Sequence, residues 1–272
     1  MQLTRRELLA GIGLGTLGVG GVSLGHNRPP YSLYTYAADG DLDDRRVRVA
    51  WYERYNGAVQ ETHDGSVTPD FDATLDPDGP PAYLEEATFV TDTTGPVLSV
   101  GNVLPGDAGT LVIGLEVVDS DDFIAEPLDI WVQTRLRADS EGSLTDPEIS
   151  AGDVTPDNGE LGDELFVELW RDGAPLGSCN GRKDFTESLE APVVARSPMS
   201  DAFGATSDVG DTDGQRVLRS LSPGQSRCIA LAWDFPVSSA TNRSQNDSVI
   251  FDLVFVGTPA DATSPFTREV SE

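Results

Sequence analysis

The sequence is poor in positive charge. Of its 272 residues 18 are basic and 46 acidic, a formal net charge of -28. A nucleic-acid binder needs clustered Lys and Arg against the phosphate backbone, so this composition argues against nucleic acid or DNA as a partner. It equally opposes docking on an anionic membrane face. Lysine is nearly absent: Lys183 is the only one. An acidic, lysine-poor surface suits concentrated salt, where dense screening removes much of the self-repulsion. The charge is therefore read as adaptation to salt, and no function is assigned to it.

Histidine is equally scarce, with His26 and His63 alone. A Ser-His-Asp set needs a histidine base. His26 lies beside the expected end of an export signal, and His63 sits in the polar loop Glu61-Thr62-His63-Asp64-Gly65. There is no His-Glu-x-x-His helix, and the only Gly-rich stretch, residues 11–21, lies inside the leader. Carboxylates are so abundant that no pair stands out as a glycosidase acid and nucleophile. The chain is therefore expected not to be an enzyme. A carboxylate-based secreted hydrolase is the one catalytic alternative that the residues allow.

Cysteine is limited to Cys179 and Cys228. In an oxidising compartment an even count reads most economically as one disulfide. Closing a loop of roughly 50 residues stabilises by about 4 kcal/mol in the chain-entropy model. Two buried free thiols are the alternative, and the count does not distinguish a bridge within one chain from one between two. No Cys-x-x-Cys is present, which argues against a zinc site.

Long apolar runs are also missing beyond the N-terminus, where Thr4-Arg5-Arg6-Glu7-Leu8-Leu9 opens a weakly apolar stretch. The Arg5-Arg6 pair followed by two leucines reads as a twin-arginine-like export signal over residues 1–25, placing the protein outside the cell or on its surface. Residues 8–25 hold seven glycines, weak for a membrane span. Membrane contact is expected only if this segment is retained as an anchor. Residues 26–45 read as a disordered tether, with an acidic run and no apolar period.

From residue 46 the pattern becomes that of strands. Val47, Val49 and Trp51 alternate with Arg48, Ala50 and Tyr52. The same period of two runs through Leu111, Ile113, Leu115 and Val117, then Ile130, Val132, Thr134 and Leu136. It recurs at Leu165, Val167 and Leu169, at Ile229, Leu231 and Trp233, and at Val249, Phe251, Leu253 and Phe255. Weaker strands are expected at 87–91 and 96–100. Short helical turns would fit at 81–86 or 213–221, and a small strand or helix near 214–221. One apolar face per strand, with Gly/Pro turns between, predicts antiparallel sheets packed face to face. The expected architecture is an all-β, jelly-roll-like sandwich over residues 46–258 with long loops, an N-terminal signal helix and a C-terminal tail over 259–272.

Three features point to ligands or modification. Asp208-x-x-Asp211-x-Asp213-Gly214 gathers three carboxylates on one short turn, which suits calcium, although the spacing is not that of an EF-hand. Asp119, Asp121 and Asp122 form a second acidic group. Asn242-Arg243-Ser244 and Asn246-Asp247-Ser248 fit the N-glycosylation sequon. Trp51, Tyr52 and Tyr55 form either a sugar platform or the core and rim of one strand.

Several of these segments also resemble a family. Asn102-Val103-Leu104-Pro105-Gly106-Asp107 running into the strand at 111–117 is similar to the core of the SipW-dependent surface proteins. That group includes the TasA and CalY (camelysin) biofilm-fibre proteins and haloarchaeal relatives. Asn158-Gly159-Glu160-Leu161 before the strand at 166–170 resembles an element of the haloarchaeal branch. So does Leu221-Ser222-Pro223-Gly224 followed by Cys228-Ile229, Trp233, Pro236, Asn242, Gln245 and Asp247-Ser248-Val249. The resemblance implies an exported, surface-associated jelly-roll sandwich. It further implies fibres made when an N-terminal segment of one subunit completes the sheet of the next, which here makes residues 26–45 the donor. The leading expectation is thus an exported structural or interaction protein of a halophile's cell surface or matrix, possibly forming fibres. A carbohydrate- or calcium-binding accessory module is the alternative.

Overall fold

The computed structural model describes residues 34–37, 47–59, 96–117, 126–156, 158–173, 179–203 and 214–266. Within them the chain forms two antiparallel sheets. The first runs in the order β1 (Tyr34–Ala37), β4 (Pro96–Gly101), β11 (Ser248–Pro259), β6 (Leu128–Ser140) and β9 (Gln215–Leu221). The second runs β3 (Ala58–Val59), β2 (Val47–Tyr55), β5 (Ala108–Val117), β10 (Ser226–Asp234), β7 (Phe166–Arg171) and β8 (Val194–Pro198). Strands β4 to β11 follow jelly-roll order: β4-β11-β6-β9 lies against β5-β10-β7-β8. Strand β1 extends the first sheet at one edge, and β2 with β3 extends the second.

The period-two pattern explains why these sheets pack. Leu111, Ile113, Leu115 and Val117 of β5 face the same core as Ile229, Leu231 and Trp233 of β10. Val249, Phe251, Leu253 and Phe255 of β11 meet them from the other sheet. Trp233, Phe203, Phe235 and Phe251 are fully buried, and each such side chain contributes about 1.5–3 kcal/mol. Gly109 fits beside the Trp233 indole, where a Cβ would fall 2.3 Å from Nε1.

A smaller apolar cluster covers the outer face of the six-stranded sheet. It joins Tyr52, Val112, Trp170, Cys179 and Cys228. Cys179 and Cys228 are bridged within the one chain, 49 residues apart. The bridge pins the segment after Cys179 onto β10, and the Tyr52 hydroxyl donates to the Cys179 carbonyl at 2.7 Å. Trp51, Tyr52 and Tyr55 are all buried, so the strand presents no aromatic sugar platform. Alternating side chains of one strand have simply filled both faces of a covered sheet.

The segment at 214–221 is a strand, β9, rather than a helical turn. Residues 34–37, inside the expected tether, pair antiparallel with β4 from Tyr34 opposite Ser99 to Ala37 opposite Pro96. Strand β11 runs to Pro259, slightly into the expected tail. The export signal with Arg5 and Arg6, the weak strand at 87–91 and the turn at 81–86 lie outside the described residues. No described helix is long and apolar enough to cross a membrane.

Candidate metal centre

Strand register brings the first two acids together. In the β6–β11 ladder Ser140 stands opposite Ser248. Glu141 follows the first and Asp247 precedes the second, so both leave the ladder at the same end. From Glu141 the chain crosses towards the other sheet through two short helices, α1 (Asp146–Ser150) and α2 (Leu161–Glu164), before entering β7. This crossover carries Glu148, Asp153 and Glu160.

Each of those acids is fixed by local structure. Thr145-Asp146-Pro147-Glu148 starts α1 with the spacing of a capping box, and Glu148 Oε2 accepts the Thr145 backbone N–H. Asp153 Oδ1 accepts from the Thr155 backbone N–H at 2.9 Å and its hydroxyl at 2.8 Å. Glu160 Oε1 accepts from Arg243 at 3.2 Å and from the Thr155 hydroxyl at 3.4 Å. Asp247 Oδ2 accepts the Glu160 backbone N–H at 2.8 Å. Gly142 lets the crossover pass the Asn246 turn, since a Cβ there would fall 2.4 Å from the Asn246 carbonyl.

The result is five carboxylates with very little water. Glu148 is 0% exposed, Asp153 1%, Asp247 2% and Glu160 7%. Glu141 is half-buried, yet both of its oxygens are buried without a hydrogen-bond partner. Glu148 Oε1, Asp153 Oδ2, Glu160 Oε2 and Asp247 Oδ1 are buried and unpartnered as well. Burying a carboxylate oxygen without a partner is costly, so each such atom calls for an occupant or a proton.

The electrostatics agree. Burial, reinforced by the charges of Asp247, Glu148, Asp153 and Glu160, pushes the Glu141 carboxyl up to about 8. Burial raises Asp247 as well, against the Glu160 N–H that favours its ionised form. Burial also raises Glu160, reinforced by the neighbouring Asp153 carboxylate. Asp153 is held low by the N–H and hydroxyl of Thr155. Neighbouring Asp139 is pushed up to about 7 by burial, against the N–H of Gly162 that it accepts at 3.1 Å. Packed this closely, the acids either keep protons or neutralise one another through a cation. The set is all oxygen, with no His or Cys, which suits a hard cation and not zinc or copper.

None of these five residues was singled out as a ligand from the sequence. Asp208, Asp211 and Asp213 lie outside the described residues, as do Asp119, Asp121 and Asp122. A usable signal existed all the same. Glu160 and Asp247 sit within motifs that carry the family resemblance, and Thr145-x-x-Glu148 is a readable cap. What the sequence hides is the ladder register that joins them.

The sequons lie against this centre. Asn246 is exposed, with φ 73°, in the turn that carries Asp247. Asn242 is half-buried, and the hydroxyl of Ser244 in its sequon donates to Glu164 Oε2 at 2.6 Å. Asp107 of the Asn-x-x-Pro-Gly-Asp motif is structural. Its carboxylate accepts from the Leu104 N–H at 2.8 Å, the Asn56 amide at 2.8 Å and the Tyr55 hydroxyl.

Fold and site together define an antiparallel jelly-roll sandwich with a buried carboxylate centre at one end. No protein-family model matches the chain, and no curated protein matches it.

Proposed function

We propose that the protein is an exported, non-enzymatic module of the cell surface or matrix whose sandwich binds calcium. The observation that carries this reading is the clustering of Glu141, Glu148, Asp153, Glu160 and Asp247, each of which carries at least one buried oxygen without a hydrogen-bond partner. Their burial supports binding over hydrolysis, because a sugar ring is too large to approach carboxylate oxygens that have almost no exposed surface. The Cys179–Cys228 bridge is compatible with an extracellular location, and the Arg5-Arg6 leader supports export. Salt adaptation does not account for the centre, since acids recruited for that purpose belong on the surface.

Isothermal titration of the chelator-stripped protein with calcium, in molar sodium chloride, tests this reading. Saturable binding is expected, with weaker binding of magnesium, which prefers a regular six-fold shell and keeps its waters. Titration heats equal to buffer dilution would reject it.

A second reading, a fibre-forming subunit, is favoured by the position of β1. Residues 34–37 come from the candidate donor segment and pair with β4, which would be the edge of its sheet without them. The same four residues from a neighbouring subunit would make the same ladder. Deleting residues 26–38 should then remove polymers seen by negative-stain microscopy while leaving the circular dichroism of the sandwich unchanged. Polymers that survive the deletion would rule out a donor role.

A further inference from the structure

The five carboxylates fall into two groups that share one member. Ligand oxygens of Glu141, Glu148 and Asp247 all lie within 4.8 Å of one another. Those of Glu141, Asp153 and Glu160 do the same. Calcium holds its oxygens at about 2.3–2.6 Å, so two oxygens on one ion stand at most about 5 Å apart. Each triad meets that limit, and the two triads meet each other only at Glu141.

The unpartnered atoms divide the same way. Glu148 and Asp247 of one triad, and Asp153 and Glu160 of the other, each carry one buried oxygen with no hydrogen-bond partner. Glu141 contributes two unpartnered oxygens, enough for one on each side. In the other four acids the second oxygen is already held by a backbone N–H or by Arg243. These four carboxylates are therefore oriented before any ion arrives, as supporting hydrogen bonds do in metal sites.

Formal charge favours two ions. Arg243 is the cation bonded to this set, at Glu160. Two divalent ions and the Arg243 guanidinium balance the five carboxylates. One ion would leave two negative charges on the ionised set, which would have to be offset by retained protons.

We propose that the centre is a two-calcium site bridged by Glu141, with Glu148 and Asp247 completing one position and Asp153 and Glu160 the other. Water supplies the remaining ligands, as is usual for calcium. The inference rests on the calcium reading above and adds the stoichiometry and the bridge.

The test is a count. The full-length exported protein is stripped with chelator and dialysed against saturating calcium in molar salt, which suppresses loose binding to surface acids. Calcium per chain is then measured by mass spectrometry of the metal. The expected values are two ions for the wild type, one for Asp247→Asn, one for Asp153→Asn and none for Glu141→Gln. Near-UV circular dichroism of each variant establishes that it is folded, and the wild-type count stands even if a variant is not. One ion in the wild type would overturn the two-ion site and leave the calcium reading standing. No calcium in the wild type would overturn both.

Discussion

Asp172 shows how far a single residue in this fold departs from ordinary carboxylate behaviour. It follows the last residue of β7 with no exposed surface, and its Oδ2 accepts the Gly181 N–H at 2.7 Å. Burial pushes its carboxyl up to about 7, and the charges of Glu187 and Asp184 push the same way. In the unfolded chain an aspartate ionises near pH 4. The folded state therefore holds this proton more tightly than the unfolded state. Its contribution to stability is fully present below about pH 4 and is lost as pH rises through about 7. Asp172→Asn should accordingly flatten the fall in unfolding free energy between those limits, by a few kcal/mol at most, and with it the fall in the urea midpoint. A variant whose midpoint falls as steeply as the wild type would contradict this account of Asp172.

At the scale of elements, what the sequence made legible depends on burial on one face. Strands β5, β7, β10 and β11 were readable because each keeps an unbroken alternation, and all their expected inward residues are in the core. Strand β9 was ambiguous for a physical reason: its pairing with β6 is interrupted by register shifts, so Val217, Leu218 and Leu221 are buried without a clean period. Strand β8 ends at Pro198 and its pairing with β7 also shifts register, which removes the signal again. Strand β1 has only four residues, and neighbouring polar sequence masks it. The disulfide was legible from cysteine count alone, but not its place: it fixes a covering segment to the outer face of a sheet, beside Tyr52 and Trp170. The carboxylate cluster was the least legible element. Its acids come from one ladder end and one crossover, and only the register of Ser140 with Ser248 brings them together. Short-range acidic spacing, as in Asp208-x-x-Asp211-x-Asp213, selects for what is close in sequence rather than for what folding joins.

For the whole molecule the acids fall into two groups. Most of the 46 acidic side chains keep a large net charge in water, an arrangement that dense salt screens. The clustered five are largely desolvated, so diffuse screening does little for them. They connect β6, the crossover that enters β7, and the start of β11, so an ion there ties the two sheets at one end of the sandwich. An ion that binds the folded chain alone stabilises it by about 2.7 kcal/mol when its free concentration is a hundredfold above its dissociation constant. For a domain of this size each kcal/mol raises the melting temperature by about 2–4 °C. General salt would also raise it, so ionic strength has to be matched. The most direct measurement is therefore the melting temperature of the stripped protein with calcium and with chelator, at equal ionic strength in molar salt. At that excess over the dissociation constant the account predicts a rise of about 5–10 °C for each calcium bound, about 10–20 °C for two, absent in a Glu148→Gln/Asp247→Asn/Asp153→Asn variant. Identical melting temperatures with calcium and with chelator would contradict it.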